Sequence, residues 1–356
     1  MHYLSINLHE LFLSLVGICL LLVALILVVI IISFVKYRDI IRHNFWGSII
    51  DQKVTDAIIH EAIDDTQKGA FEKFLNVQAF RDLCIQKMIE AEKKFSGSIH
   101  AVIQAFYTKY AFKADSLKKM TFRKAFTVAR GIQESTAMHA DEALPSIEQF
   151  LKHKDPNVYE EAQYAMVTFK GFEGLQFLSN FKNILSDWQQ LRLLRCIDEL
   201  PEDKRDLVSE WMSSENHSVV LFALRLAGQF QAIGLYSEVV GLLGHPEDEV
   251  RIQALKTLQV LENENTLDDV TQNFEDKNIE VQMEVIRLIK SLNDPKSLTF
   301  LKDQLLNSRS VSLKIAVAEL LYTFREQAYL REAALFDSSD EELALIINHA
   351  LQEKIC

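Results

Sequence analysis

The longest apolar segment of the chain runs from Leu11 to Val35 and contains no charged residue over 25 positions. At the rise of an α-helix this segment spans about 37 Å, which exceeds the roughly 30 Å hydrocarbon layer of a bilayer. Apolar residues occupy every face of the helix, whereas a helix that covers a soluble core keeps one polar face. The pattern predicts one transmembrane helix over residues 11–35.

The charges that flank this segment predict its orientation. The first ten residues contain no Lys or Arg, whereas Lys36, Arg38 and Arg42 follow the segment closely. Because such cations stay on the cytoplasmic side of a membrane, we expect a single-pass protein of the inner (cytoplasmic) membrane. Residues 1–10 form a short extracytoplasmic tail, and the C-terminal domain is cytoplasmic. A cleavable signal peptide needs a basic start and a small-residue cleavage site, which this segment lacks.

A second pattern repeats at a nearly constant period in the remainder of the chain. An apolar reference position is followed four residues later by a small or aliphatic residue, and the last four such positions are 31, 31 and 30 residues apart. The reference positions are Val158, Val219, Val250, Val281 and Val311, with one weaker unit at Gln189. A helix pair of this length buries its apolar face only by stacking on its neighbours. The period predicts an all-α protein in which a right-handed α-solenoid of helix pairs follows the transmembrane helix.

Polar turns precede the second helix of several pairs, at residues 154–157, 245–248 and 276–278. Their Asp and Asn residues are good N-caps, and His153 and His245 beside them are explained by capping as well. The chain has only 11 Gly and 5 Pro, and this scarcity of turn formers argues against an all-β or loop-rich fold.

The Asp155-Pro156 turn followed by Val158 and Ala162, and the stretch Glu249 to Leu255, resemble the short form of HEAT repeats. The resemblance covers about residues 114–356 and implies a solenoid that binds proteins. We therefore divide the chain as follows: 1–10 tail, 11–35 transmembrane helix, 36–113 membrane-proximal helical segment, and 114–356 HEAT-like solenoid with a C-terminal cap that has a turn at 337–340.

Several stretches are similar to the membrane-anchored HEAT repeat scaffolds of Gram-negative bacteria. They are Phe95-Ser96-Gly97, residues 115–119, residues 129–134, residues 188–193 and residues 222–226. This likeness implies a scaffold whose protein partner is a membrane-associated glycosyltransferase or another envelope component, in a polysaccharide-export assembly. The chain departs from that pattern at Ala125 and Ser135, where Trp and Leu are expected.

Charge is distributed unevenly around a net value of −12. Residues 1–140 carry a net charge of +4, whereas residues 141–356 carry −16. An acidic solenoid repels a phosphate backbone, so nucleic acid is excluded as a partner.

Cations recur at one point of the predicted second helices, six residues after the reference position in four consecutive units. In HEAT-like stacks this position lines the concave surface, where Arg suits an acidic partner because its charge persists when it is partly desolvated. Three positions earlier, two middle units add an Arg and an aromatic residue that we expect to be exposed. The predicted partner-binding residues are Trp188, Arg192, Arg195, Phe222, Arg225, Lys256 and Arg287. The alternative is that these cations pair with acids on adjacent repeats and only support stacking.

A second basic region lies between Lys93 and Arg130, where nine cations accompany one acid, Asp115. Near the anchor such a region can contact anionic lipid. The predicted contacts are Lys113, Lys118, Lys119, Arg123, Lys124 and Arg130. The alternative is a solvated helix face.

The sequence contains no H-E-x-x-H, phosphate-loop or G-x-S-x-G motif, and its four cysteines are dispersed, as in a reducing compartment. We therefore predict no catalytic residue, no metal and no cofactor, and a protein that is not an enzyme. The alternatives are a HEAT-like lyase and a metal-dependent hydroxylase. The hydroxylases bind iron through several His-Glu dipeptides, but here His60-Glu61 is accompanied only by His9-Glu10 at the membrane.

Overall fold

The computed structural model describes residues 8–60, 63, 69–94, 98–336 and 341–352, and these residues form helices and turns without any strand. The all-α prediction is confirmed. The chain divides into two compact units, residues 1–162 and 163–356. Three expectations from the sequence fall on residues that the structure does not describe: the first seven residues of the predicted tail, the Phe95-Ser96-Gly97 stretch and the turn at 337–340.

The first helix, α1 (Leu8–Ile59), contains the apolar segment and continues well beyond it. It is the one helix of the described chain that is long and apolar enough to cross a membrane, and its most apolar part is not buried. Beyond Phe45 its character changes, because Trp46, Ile50 and Val54 are buried along one face. Their spacing is that of successive helical turns, so the end of α1 is a packing element of the first unit.

The first unit packs short helices against this end of α1. They are α2 (Ala70–Phe74), α3 (Gln78–Glu92), α4 (Ser98–Lys109), α5 (Phe112–Met120), α6 (Ala125–Ala137), α7 (Leu144–Glu148) and the first half of α8 (Pro156–Lys170). Aromatic rings fill the core: Phe71 lies 5.4 Å from Phe80 and 5.6 Å from Phe106 between ring centroids, in edge-to-face contacts. The predicted boundary at residue 113 lies inside α5, and the division proposed from the sequence stays a prediction.

The second unit consists of helix pairs after the short helix α9 (Asp187–Leu194). The first helices are α10 (Arg205–Met212), α12 (Tyr236–Gly241), α14 (Thr266–Thr271), α16 (Ser297–Asn307) and α18 (Gln327–Phe336). The second helices are α11 (His217–Gln229), α13 (Asp248–Val260), α15 (Ile279–Leu292), α17 (Val311–Thr323) and α19 (Glu341–Leu351). Each second helix packs on its own first helix and on the next second helix, as stacked repeats require.

The reference positions of the repeat are buried as predicted, with one exception. Val219, Val250 and Val281 are fully buried, but Val311 is 43% exposed. In that repeat the frame begins two residues later, at the buried Leu313. The Ser310 side chain caps α17 by accepting a hydrogen bond from the Leu313 amide at 3.3 Å, so Val311 starts the helix on its open side. The prediction for Val311 is therefore wrong.

Turn residues act as predicted. The Asn278 side chain caps α15 by accepting a hydrogen bond from the Val281 amide at 3.0 Å. The Nδ1 atoms of His153 and His245 each accept a hydrogen bond from the amide two residues later, at 3.1 Å. These two imidazoles therefore stabilise the turns that enter the second helices.

Candidate functional site

The cations that the repeat brings to one position lie on successive elements of the second unit. Arg195 directly follows α9, and Arg225, Lys256 and Arg287 lie on α11, α13 and α15. Neighbouring helices pack about 8–10 Å apart, so equivalent positions on stacked helices form a row with that spacing. A hydrogen bond from the Thr257 hydroxyl to the Leu224 carbonyl, at 3.0 Å, joins two of these helices.

The surroundings of these cations differ. The guanidinium of Arg225 contacts Asp187 Oδ1 at 2.7 Å and donates to Gln190 Oε1 at 2.9 Å, both in the preceding repeat. Arg287 is 69% exposed and pairs with Glu284 of its own helix at 2.6 Å. Arg195 and Lys256 are exposed and make no ion pair within the part of the chain that the structure describes. The alternative of pairing between adjacent repeats thus holds for Arg225.

The residues predicted three positions earlier are not both at the surface. Arg192 lies over the ring of Tyr164, with its Cζ atom 3.9 Å from the ring centroid, and burial raises the pKa of that phenol. Phe222 is fully buried, so the expectation of an exposed aromatic there is wrong. The reason is that α11 is covered by its first helix and by the neighbouring second helix. Trp188 is 72% exposed, as an aromatic contact requires.

A cavity of about 600 Å³ opens beside the last cation of this row. Its wall combines apolar side chains of α15, α17 and α19 with the cations Arg287 and Lys290 and with one acid, Glu319. We call the exposed cations Arg195, Lys256 and Arg287, together with the exposed Trp188 of α9, the cation row. The combination of an apolar wall with cations suits an acidic amphipathic segment.

The basic region of the first unit is largely structural. Glu134 is 3% exposed and accepts hydrogen bonds from Lys119 at 2.7 and 2.8 Å, from Ser116 at 2.8 Å and from Arg130 at 2.9 Å. Lys119 also contacts Asp82 at 2.8 Å. We call these five residues the Glu134 network. Every partner of the buried carboxylate is provided by the protein, as a buried charge requires.

Two of the stretches that are similar to membrane-anchored HEAT scaffolds contain residues of the Glu134 network. Residues 115–119 lie on α5 and residues 129–134 on α6, and the Glu134 network joins the two helices. Between them lies Gly131, where an added Cβ atom would be 2.7 Å from the Ser116 carbonyl oxygen. The helices therefore approach closely only with glycine at this position.

The expected lipid contacts divide accordingly. Lys119 is buried, Arg130 pairs with Glu134, and Lys113 pairs with Glu142, so the expectation that Lys119 contacts lipid is wrong. Lys118, Arg123 and Lys124 are exposed.

Two aromatic residues that the sequence analysis missed stand among those exposed cations. Phe122 is 49% exposed and Phe126 is 76% exposed. Both border a shallow cavity of about 280 Å³ that Lys118 also lines. The signal was present as two Phe residues four positions apart around Arg123-Lys124. We call Lys118, Phe122, Arg123, Lys124 and Phe126 the basic-aromatic patch.

A third group was also missed. Glu92, His100 and His139 each have one possible metal-ligand atom, and these three atoms lie within 4.8 Å of one another. The Nδ1 atom of His100 lies 2.5 Å from Glu92 Oε1. Burial raises the pKa of Glu92 against the effect of His100, and burial together with His100 lowers the pKa of His139. These residues are far apart in sequence and form no motif.

The comparisons agree with this architecture. Residues 237–322 match the family model described as HEAT repeats. The chain contains HEAT-like repeats over these residues, and the resemblance inferred from the repeat is confirmed there. No curated protein matches the chain.

Among solved structures, the chain is similar to two crystal structures of engineered proteins. For the first, the identity is 15%, the TM-score is 0.36, and the match covers 79% of this chain and 88% of the other. For the second, the identity is 14%, the TM-score is 0.26, and the match covers 67% of this chain and 94% of the other.

The Glu134 network makes a direct prediction about the first unit. Replacing Glu134 by Gln leaves the buried Lys119 beside a neutral amide with Asp82 still in contact, so we expect the variant to lose part of the about 3–5 kcal/mol that breaking a buried pair costs. We expect faster amide hydrogen exchange throughout α5 and α6, measured by mass spectrometry on the full chain in detergent. Glu142→Gln, which removes the exposed partner of Lys113, is the matched control and should leave exchange unchanged. Equal protection in both variants would contradict a stabilising role for the network.

Proposed function

We propose that this protein is a membrane-anchored scaffold that binds a partner protein, and that it is not an enzyme. The observation that carries the proposal is the cation row, which remains exposed on stacked second helices beside an apolar-walled cavity. HEAT repeats generally mediate interactions between proteins, which supports a binding role. The partner segment that fits is acidic and amphipathic.

The anchor is α1, whose apolar part leaves every side chain from Leu11 to Val35 exposed. Leaving so many apolar side chains in water is unfavourable, whereas a bilayer accommodates them. Lys36, Arg38 and Arg42 follow the apolar part and favour a cytoplasmic position for both units. We propose a bacterial inner membrane as the location. The sequence likeness to envelope scaffolds suggests a membrane-associated glycosyltransferase, or another component of polysaccharide export, as the partner.

The orientation is tested with reporters fused after Cys356. A fluorescent protein that matures only in the cytoplasm should be fluorescent, and an enzyme that needs export to become active should be inactive, both in a bacterial host. A variant with Lys36, Arg38 and Arg42 replaced by Gln provides the control, because it weakens the charge signal and should give a mixed topology. The opposite pattern in the unaltered chain would refute a cytoplasmic scaffold.

The cation row is tested by charge reversal combined with crosslinking. The triple variant Arg195→Glu, Lys256→Glu and Arg287→Glu changes exposed side chains, but Arg287 also pairs with the buried Glu284, so a thermal melt followed by circular dichroism first verifies that the variant is folded. It should lose the crosslinked product that a photoreactive side chain at Trp188 forms in native membranes, because acidic partner groups are then repelled.

The matched control reverses Lys182, Lys296 and Arg309, which are also exposed in the second unit. Its change in net charge is identical, so it separates the position of the charges from their number. Crosslinking that survives in the triple variant, or that is lost equally in the control, would contradict the proposed surface. Raising the salt concentration should weaken crosslinking only in the unaltered chain and in the control.

A second candidate function is favoured by the basic-aromatic patch. Exposed Phe side chains among cations are suited to an anionic bilayer surface, where each cation contributes about 1 kcal/mol. The patch is connected to the start of α3, because Gln78 lines the same cavity as Phe122 and Phe126. Just before α3, the ring of Phe74 lies 5.9 Å from that of Trp46 between centroids. Trp46 is only 11 residues beyond Val35, the end of the apolar segment. These contacts support a position near the membrane that α1 enters.

Lipid contact predicts slower amide exchange at residues 121–126 in nanodiscs of anionic lipid than in zwitterionic ones. The double variant Phe122→Ser and Phe126→Ser should remove this difference, because the apolar contact is lost. Leu335→Ser, at a residue that is 81% exposed in the second unit, is the control and should keep the difference. Identical exchange in the two lipids would exclude a role as a membrane-surface tether.

A further inference from the structure

Glu92 occupies an unusual position for a carboxylate. Its side chain is only 8% exposed, and none of the described residues donates a hydrogen bond to either of its oxygens, although His100 lies 2.5 Å away. Buried carboxylates in folded proteins normally have several donors or a bound cation around them, because removing a charge from water is costly. Glu134, a buried carboxylate of the same unit, accepts four hydrogen bonds and illustrates this rule, from which Glu92 departs.

Two imidazoles complete the surroundings of Glu92. His100 lies near the start of α4, and His139 follows α6, with their ring centroids 5.4 Å apart. One ligand atom from each of the three residues lies within 4.8 Å of the others. A zinc ion bound at about 2.0–2.2 Å holds tetrahedral ligands about 3.4 Å apart. Side-chain rotations that open the 2.5 Å contact between His100 and Glu92 by about 1 Å, and bring His139 to the same spacing, place all three atoms on one ion.

We propose that Glu92, His100 and His139 bind a zinc ion. Two imidazole nitrogens and one carboxylate oxygen are ligands typical of zinc, and a three-residue set leaves a fourth position for water. His139 is exposed, which gives that position access to solvent. The carboxylate supplies the negative charge that a divalent cation needs, and the ion gives Glu92 a bond in place of its contact with His100, which is close but donates no hydrogen bond.

The ion would join three elements of the first unit, the end of α3, the start of α4 and the end of α6. Its expected effect is stabilisation, because a ligand that binds only the folded state lowers the free energy of that state. This inference concerns a metal site in the first unit and is independent of the partner surface proposed for the second.

The test uses the full chain in detergent after treatment with a chelator. Zinc is added in competition with a chromophoric chelator, and we expect one equivalent to bind and to slow amide exchange in α3, α4 and α6. Cobalt in place of zinc should give the visible absorption bands of a four-coordinate site. Glu92→Gln and His139→Asn, each alone, should weaken binding by at least the roughly 10- to 100-fold that loss of an outer-shell partner costs.

The double variant His153→Asn and His245→Asn is the control, because these imidazoles cap turns elsewhere. It should bind zinc like the unaltered chain. Circular dichroism in the absence of metal verifies that each variant is folded. Failure of the unaltered chain to bind one equivalent, or unchanged affinity in both the Glu92 and His139 variants, would overturn the proposal without affecting the partner surface.

Discussion

Burial of each second helix between its neighbours is the constraint on which the second unit depends. In α11, Val219 and Ala223 are fully buried, and a hydrogen bond from Thr257 ties the next second helix to its backbone. A helix covered on several sides has only a narrow strip left for solvent. The strip recurs once per repeat, so the side chains six residues after the reference position form a row, while Phe222, three residues before Arg225, already lies at the edge of the strip and belongs to the core.

The first unit joins its helices in a different way. Where α5 meets α6, a buried carboxylate is surrounded by four donors, and Gly131 permits the close approach that these contacts need. Replacing such a network by apolar residues is often neutral for stability, but removing one member leaves an uncompensated charge. Part of the basic region is therefore fixed within the fold, and only Lys118, Arg123 and Lys124 are left to act with the two exposed Phe residues.

Local features were predictable from the sequence, whereas features that depend on packing were not. The helix pairs and their turns followed from periodicity and capping residues, because both act within a few positions. The valine at 311 predicts the wrong frame, because the Ser310 cap sets the start of α17 and places Leu313, not Val311, in the core. The exposure of Phe122 depends on which helices cover it. Glu92, His100 and His139 lie on different elements, so no spacing along the chain marks them as neighbours.

Lys256 and Arg287 stay exposed because the contact that holds Arg225 to the preceding repeat is not formed again in the next two repeats. Arg225 is held by Asp187 and Gln190 of the preceding repeat. One repeat later the equivalent positions are His217 and Val220, which offer Lys256 no carboxylate. In the next repeat the acid returns as Asp248, but it pairs with Arg251 of its own helix, and Arg287 turns to Glu284. The stack is therefore held together without Lys256 and Arg287, and in the proposed complex an acidic partner segment lies beside them as Asp187 lies beside Arg225.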